Sequence, residues 1–431
     1  MVYAKKIGLI SCTSIVAGNI MGSGIALLPA NLAQLGSISI IGWIVALIGA
    51  MAIAYVYARL TIKTPYNGSC LISSSGIASA CSFQAGVLYY HANWIGNLAI
   101  CITAVSYLST FFLILNHPIP AGITCILIIW ILTFVNMLGG VWVGRLTIVG
   151  LLMVLIPVLG TSIYGWYWFS PIIYQANWNT SGSTNYYAIV HSILLCIWSF
   201  IGVESAVVNI NIVKNPKRNI PIATILGTLL AGIIYISATQ VIFGIYPASM
   251  IASSGAPFAM ISSRIVGNWA SILVSIFIFF SCLSSLGSWI MLVGQAGVRA
   301  AHNGNFPKVY GEIDRYGIPR KGLFLSAIKM SLLMIIITIL DTKGGRISDL
   351  FGELTGMTAL LTIIPYFYSC VNLIYLDNFK IKNILDLIMS LLGCIFCVIA
   401  LIGANLFKLI GTFIISLIIL IFYSFKINKI K

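Results

Sequence analysis

Apolar stretches of about twenty residues, the length a helix needs to cross a bilayer, recur along this sequence from end to end. They can be laid at 8–32, 36–60, 82–113, 120–138, 146–168, 186–210, 220–245, 268–298, 323–340, 349–375, 386–404 and 407–425. A backbone in hydrocarbon must satisfy its own polar groups, and a helix does so within one segment. The pattern therefore predicts an all-α integral membrane protein of about twelve transmembrane helices. Charged residues make up only 7% of the chain, against about 25% in soluble domains. No polar stretch is long enough to fold as a second domain, so residues 1–431 read as a single transmembrane unit.

The net charge of +15 would suit a nucleic-acid partner if the basic residues clustered on one polar surface. Their placement argues otherwise. With both termini on one side, 19 Lys and Arg residues share that side, and only Arg264, Lys343, Arg346 and Lys408 fall opposite. The rich side is expected to be cytoplasmic. The excess is a topology signal, membrane lipid is the expected surround, and no nucleic acid is expected. Leu9-Ile10-Ser11-Cys12 superficially matches a lipoprotein cleavage signal, but the apolar stretch before Cys12 is too short. It reads as the first helix, uncleaved. Cys394 and Cys397 form a C-x-x-C in an apolar helix without basic neighbours, so buried packing is expected rather than redox or zinc chemistry.

Two spans carry interruptions. Gly18-Asn19-Ile20-Met21-Gly22-Ser23-Gly24 breaks the first, and Gly202-Val203-Glu204-Ser205 breaks the sixth. Matched breaks five helices apart point to a transport site near the bilayer midplane; the competing reading is Gly used for close helix packing. In an unbroken helix Trp198, Ile201 and Ser205 would share a face and Glu204 would turn away. A carboxylate at that depth costs roughly 3 kcal/mol or more, so it is expected to do something.

Tyr89, Asn93, Gly96, Asn97 and Cys101 form one stripe in the third span. It reads either as interhelical hydrogen bonding or as a pocket wall offering acceptors to an ammonium. His91 and Trp94 lie off it and read as packing. In the eighth span Ser281, Ser284, Ser285 and Ser288 precede Trp289. An indole that deep suits a cation–π platform. Tyr366 beside Pro365 is either a further aromatic wall or kink packing. Metal-ligand spacings, phosphate loops and nucleophile–base pairs are not apparent, so neither an enzyme nor a cofactor is expected. A carboxylate, amides and aromatics describe a site for an organic amine.

The segments "GNIMGSGIALLPANLA", "GVLYYHANWIGNLAI", "IWSFIGVES" and "VKNPKRNIPIAT" resemble the basic amino acid/polyamine antiporters of the amino acid–polyamine–organocation superfamily. "SGAPFA", "GSWIMLVGQAGVRAA", "NFPKVYGEID" and "DLFGELTG" are most similar to members exchanging lysine for cadaverine. The similarity covers residues 4–425. It implies inverted five-plus-five helix repeats, approximately 8–168 and 186–375, with broken helices 1 and 6 and two additional C-terminal helices at 386–425. It also implies roles. The amides of Ser23 and Gly24 would hold a substrate carboxylate and the Ile20 carbonyl an amine. Trp198, with Ile201 on its face, would close the outer side, and Trp289 would stack on the cationic side chain. Ala92, Asn93, Asn97 and Thr358 would surround its far end, with Glu204 also among the substrate contacts; Tyr89, Glu204 and Tyr366 would form the inner gate, and Trp198 and Trp289 would take part in gating.

Two stretches depart from the family. "TPYNGSCLIS" stands where relatives usually have Pro-x-Gly-Gly-Tyr, and Asn303-Gly304 stands where they often have Asp-Gly. Both lie on the expected cytoplasmic side. The resemblance implies an exchanger of external lysine for internal cadaverine in a bacterial inner membrane. It would support acid resistance alongside a cytosolic lysine decarboxylase, and a homodimer is kept open. Arginine/agmatine or ornithine/putrescine exchange, or a non-exchanging cation channel or sensor, are the alternatives.

Overall fold

The computed structural model describes residues 8–21, 24–63, 77–204, 207, 213–302, 304–341, 347–376 and 383–428. These are helical almost throughout, with no strand among them. Among the described residues, eight helices are long and apolar enough to cross a membrane, and Asn185–Trp198 and Lys408–Ile421 are shorter apolar pieces.

In chain order the first span is α1 (Leu9–Met21) and α2 (Leu28–Ala33), separated by a turn. Pro29 sits at the start of α2, where its missing N–H costs nothing. Next come α3 (Ser39–Lys63), α4 (Ile77–Leu108), α5 (Pro118–Leu138) and α6 (Gly140–Tyr164). A short α7 (Pro171–Ala176) leads to α8 (Asn185–Trp198), which ends where the second break was expected. The second half holds α9 (Pro216–Ile245), the short α10 (Ala248–Ser253) and α11 (Pro257–Ile265), then α12 (Asn268–His302), α13 (Arg320–Asp341) and α14 (Ile347–Leu376). Two further helices, α15 (Ile384–Ile402) and α16 (Leu406–Asn428), complete it.

Lipid tails are as apolar as leucine, so helices in a bilayer associate through close backbone approach rather than water exclusion. Glycines make that approach here. A Cβ on Gly42 would fall 2.1 Å from the Ser192 hydroxyl of α8, and one on Gly49 would fall 2.1 Å from the Phe396 ring of α15. Gly227 of α9 admits Val16 of α1 in the same way. The broken first span and α8 are thereby seated against α9 and α3.

The two ends of the bundle are held differently. At one, connections expected to share a face bond to one another: Ser37 N donates to the Asn177 carbonyl at 2.8 Å and Ile38 N to Trp178 at 2.9 Å. The Asn177 amide also donates to the Phe243 and Tyr246 carbonyls, each at 2.8 Å. At the other, Asp386 of α15 is buried against α3. It accepts from Tyr55 at 2.6 Å, from Arg59 at 2.8 and 2.9 Å, and from Lys63 at 3.0 Å.

Candidate functional site

The second break is a backbone event at Gly202. Its φ of +111° lies where side-chain-bearing residues rarely go. A Cβ there would also meet the Trp289 indole at 3.3 Å and the Asn19 carbonyl group at 3.4 Å. Both breaks therefore touch: Gly202 packs on the end of α1, and Ser199 Oγ donates to the Gly24 carbonyl at 3.0 Å. The turn carries Glu204 away from its helical direction and into the bundle, where it is 1% exposed.

Glu204 accepts on both oxygens. Tyr89 Oη donates to Oε1 at 2.9 Å, and Tyr366 Oη and the Gly202 N–H donate to Oε2 at 2.7 and 3.2 Å. The Tyr57 ring packs edge-on against Tyr366, with centroids 5.9 Å apart. The three residues expected at an inner gate are thus one hydrogen-bonded unit. Both carboxyl oxygens therefore have a tyrosine hydroxyl partner, and Oε2 has a backbone amide donor as well.

Beside this unit lies a cavity with about 340 Å³ of empty space. Asn93, Asn97 and Ala92 of α4 form one wall, Trp289 and Thr358 of α12 and α14 another. Ile20, Gly24, Trp198 and Ile201 enclose it from the breaks. Helix register orders the layers. Tyr89 lies eight residues before Asn97 on α4, and Tyr366 eight after Thr358 on α14, each about 12 Å along its axis at 1.5 Å per residue. Phe351 lies in the opposite direction on α14, and it meets Trp198 edge-on at 6.3 Å. Trp198–Phe351 and Tyr89–Glu204–Tyr366 thus lie on opposite sides of the cavity.

Buried polar groups without partners cost about 1–3 kcal/mol each. Asn97 is 1% exposed, and neither its amide nitrogen nor its oxygen has a hydrogen-bond partner among the described residues. The Trp198 indole N–H is likewise unmatched. Both residues line the cavity, which is where a polar ligand would satisfy them.

Some expectations need adjusting. Glu204 does not line the cavity but sits in the adjoining layer. The Ile20 carbonyl, expected to meet a substrate amine, already accepts from Tyr235 Oη at 2.7 Å. It has a second lone pair to offer. The serines of α12 pack mostly away from the cavity: Ser284 Oγ donates to the Leu146 carbonyl of α6, and Ser288 bonds Thr147. Only Trp289 from that stretch reaches the site. Ser23, Ser205, Asn303 and the 67–73 stretch lie outside the described residues. Asn19, Gly96 and Ile100 also line the cavity, and Phe351 and Tyr235 support it. Gly96 was visible on the polar stripe, where a Cβ would crowd Trp198 at 3.1 Å and Thr358 at 3.3 Å.

Residues 7–425 match the model of a family described as amino acid permease. The chain belongs to the amino acid permease family. It is 64% identical to the cadaverine/lysine antiporter of Escherichia coli (strain K12) over 429 residues, covering 100% of this chain and 97% of that protein. Identity to the putrescine transporter PotE of the same strain is 32% over 382 residues, 88% of this chain and 85% of the relative. PotE of Haemophilus influenzae stands at 32% over 88% and 86%. These relatives are transporters, and the chain is not an enzyme. Its apolar helices and family place it in a membrane as a multi-pass protein.

Proposed function

We propose that this chain exchanges external lysine for internal cadaverine across a bacterial inner membrane. The observation that carries the reading is the carboxylate layer. Glu204 is buried and bonded by neutral donors, beside a cavity walled by two indoles and an amide that lacks partners. Such a site recognises an ammonium by charge, π face and hydrogen bond together. Identity twice as high to a cadaverine/lysine antiporter as to putrescine transporters favours cadaverine over the shorter diamine.

In this reading Ser23 and Gly24, at the break in the first span, receive the lysine carboxylate, and Ile20 the α-ammonium. Trp289 stacks on the side chain, and Ala92, Asn93, Asn97, Ile201 and Thr358 form the remainder of the pocket. Trp198 closes the outer side, and Tyr89, Glu204 and Tyr366 the inner. The twelve-helix, inverted-repeat arrangement and cytoplasmic termini belong to the same proposal. At neutral pH lysine carries +1 and cadaverine +2, because alkyl amines titrate near about 10. Each one-for-one exchange therefore exports one positive charge. Coupled to a cytosolic lysine decarboxylase, which consumes a proton per turnover, the cycle raises internal pH.

The test is uptake of labelled lysine into proteoliposomes preloaded with cadaverine, agmatine, putrescine or nothing. Cadaverine should drive uptake most strongly, and empty vesicles should give almost none. Equal uptake into empty vesicles would mean a channel, and a stronger drive by agmatine or putrescine would reassign the substrate pair.

A further inference from the structure

Away from the transport site, an open groove of about 620 Å³ runs between the C-terminal end of α5 and the start of α13. Met137, Val309, Phe324 and Leu325 line it, with Arg320 and Lys321. The two cations are incompletely engaged. Arg320 faces Asp314 through Nε alone, at 2.9 Å, and among the described residues its two terminal nitrogens have no partner. Lys321 pairs with Glu312, with side chains 64% and 52% exposed. Exposed ion pairs of that kind hold weakly and yield to a better anion. Asp314 is already occupied, accepting the backbone N–H groups of Tyr316 at 2.8 Å and Ile318 at 2.9 Å.

The remaining surroundings are those of a bilayer interface. Tyr316 is 66% exposed with the Arg315 guanidinium 4.8 Å over its ring, the type of aromatic–basic pair found at headgroup depth. From there an outward-facing aromatic strip descends the two helices. Phe324 packs edge-on to Trp130 at 5.2 Å, and Trp130 against Phe134 at 5.7 Å. Phe324 and Phe134 are 45% and 55% exposed. Cations at the rim and apolar side chains leading away from them match one amphiphile.

We propose that this groove binds an anionic phospholipid, its phosphate on Arg320 and Lys321 and its acyl chain along Phe324. A diamine would be repelled by the same two cations, so the groove is not a second substrate site. Only the choice of leaflet rests on the membrane orientation proposed above. Binding measured in detergent or nanodiscs is blind to that orientation, so the two readings fail separately.

Native mass spectrometry of the full chain, titrated with phosphatidylglycerol or phosphatidylcholine, tests it. The wild type should retain phosphatidylglycerol at least tenfold more tightly. R320Q/K321Q should lose about tenfold or more of that affinity, in line with the pull of each basic residue on an anionic lipid. K217Q/R218Q, which removes two exposed cations elsewhere, should leave it unchanged. Glu312→Gln should tighten binding by releasing Lys321, a gain that misfolding could not produce. Equal retention of the two lipids, wild-type affinity in R320Q/K321Q, or equal loss in K217Q/R218Q would each overturn the site. Full displacement by millimolar inorganic phosphate would show a free-anion site instead of a lipid site.

Discussion

Replacing Glu204 by Gln removes one charge and almost nothing else. In the native arrangement Oε1 accepts one bond and Oε2 accepts two. A glutamine oxygen in the Oε2 position would keep Tyr366 and Gly202, and its NH₂ would face Tyr89, whose hydroxyl can rotate to accept. No bond is lost. Each weakens from the charged range of about 1.5–3 kcal/mol to the neutral range of about 0.5–1.5. The variant also no longer buries a charge, which offsets much of that loss, so it should fold.

Binding is where the charge counts. For an ammonium about 6–8 Å away at an effective dielectric near 20, the lost attraction is about 2–3 kcal/mol, or roughly thirty- to hundredfold. Cadaverine, with two ammonium groups and no carboxylate, bears the full effect. In lysine the α-carboxylate offsets part of it. Counterflow in proteoliposomes, with calorimetric binding of each substrate, should therefore show cadaverine exchange lost or strongly weakened, lysine less affected, and a flattened pH profile. Wild-type exchange of both substrates from pH 5 to 8 would refute the charge argument and leave Glu204 as interhelical glue.

Trp289→Leu should weaken substrate binding about tenfold while Trp289→Phe is milder, since only Phe retains a π face; equal binding by the two would make Trp289 a packing residue. Asp386→Asn should destabilise the protein by about 2–3 kcal/mol, below the figure for fully buried pairs because Arg59 and Lys63 remain 29% and 20% exposed; an unchanged melting temperature in detergent would contradict this. Asp314 is held below the usual carboxylate range by the Ile318 and Tyr316 N–H groups and by Arg320. Its stabilising contribution is present at neutral pH and lost as pH falls through its depressed value. The melting difference between wild type and Asp314→Asn should shrink on acidification, and a pH-independent difference would exclude the linkage. Impermeant labelling of single cysteines should reach the Asn177–Tyr187 loop, and not the Lys214–Arg218 loop, from outside intact cells; the reverse pattern would invert the topology.

What could be read in the sequence was whatever contrasts with an apolar background. A glycine-rich break, one carboxylate and a stripe of asparagines stand out in a run of Ile and Leu, and Glu204, Asn93 and Asn97 do come together with the ends of both breaks. Phe351, Ile100 and Tyr235 offer no such contrast, because an aromatic or aliphatic residue in an apolar helix looks the same whether it faces lipid, core or cavity. The α12 serines illustrate a different limit. Small polar residues mark close packing, and which neighbour they pack against is a tertiary fact; here it is α6. Tyr235 on the Ile20 carbonyl likewise depends on bringing together residues 215 positions apart.

Two of the helices that build the site, α4 and α8, are poor membrane segments, unlike α12 and α14. α8 has 14 residues, and α4, 32 residues long, is absent from the eight strongly apolar spans. His91, Asn93 and Asn97 dilute its apolar character. During synthesis such segments would partition weakly into the bilayer alone and be retained by apolar neighbours such as α3, against which α8 packs. The binding pocket would then be among the last parts of the molecule to take shape. Replacing Asn93 or Asn97 by leucine should accordingly improve insertion and yield while abolishing exchange, and expression level would be a misleading guide to a working transporter.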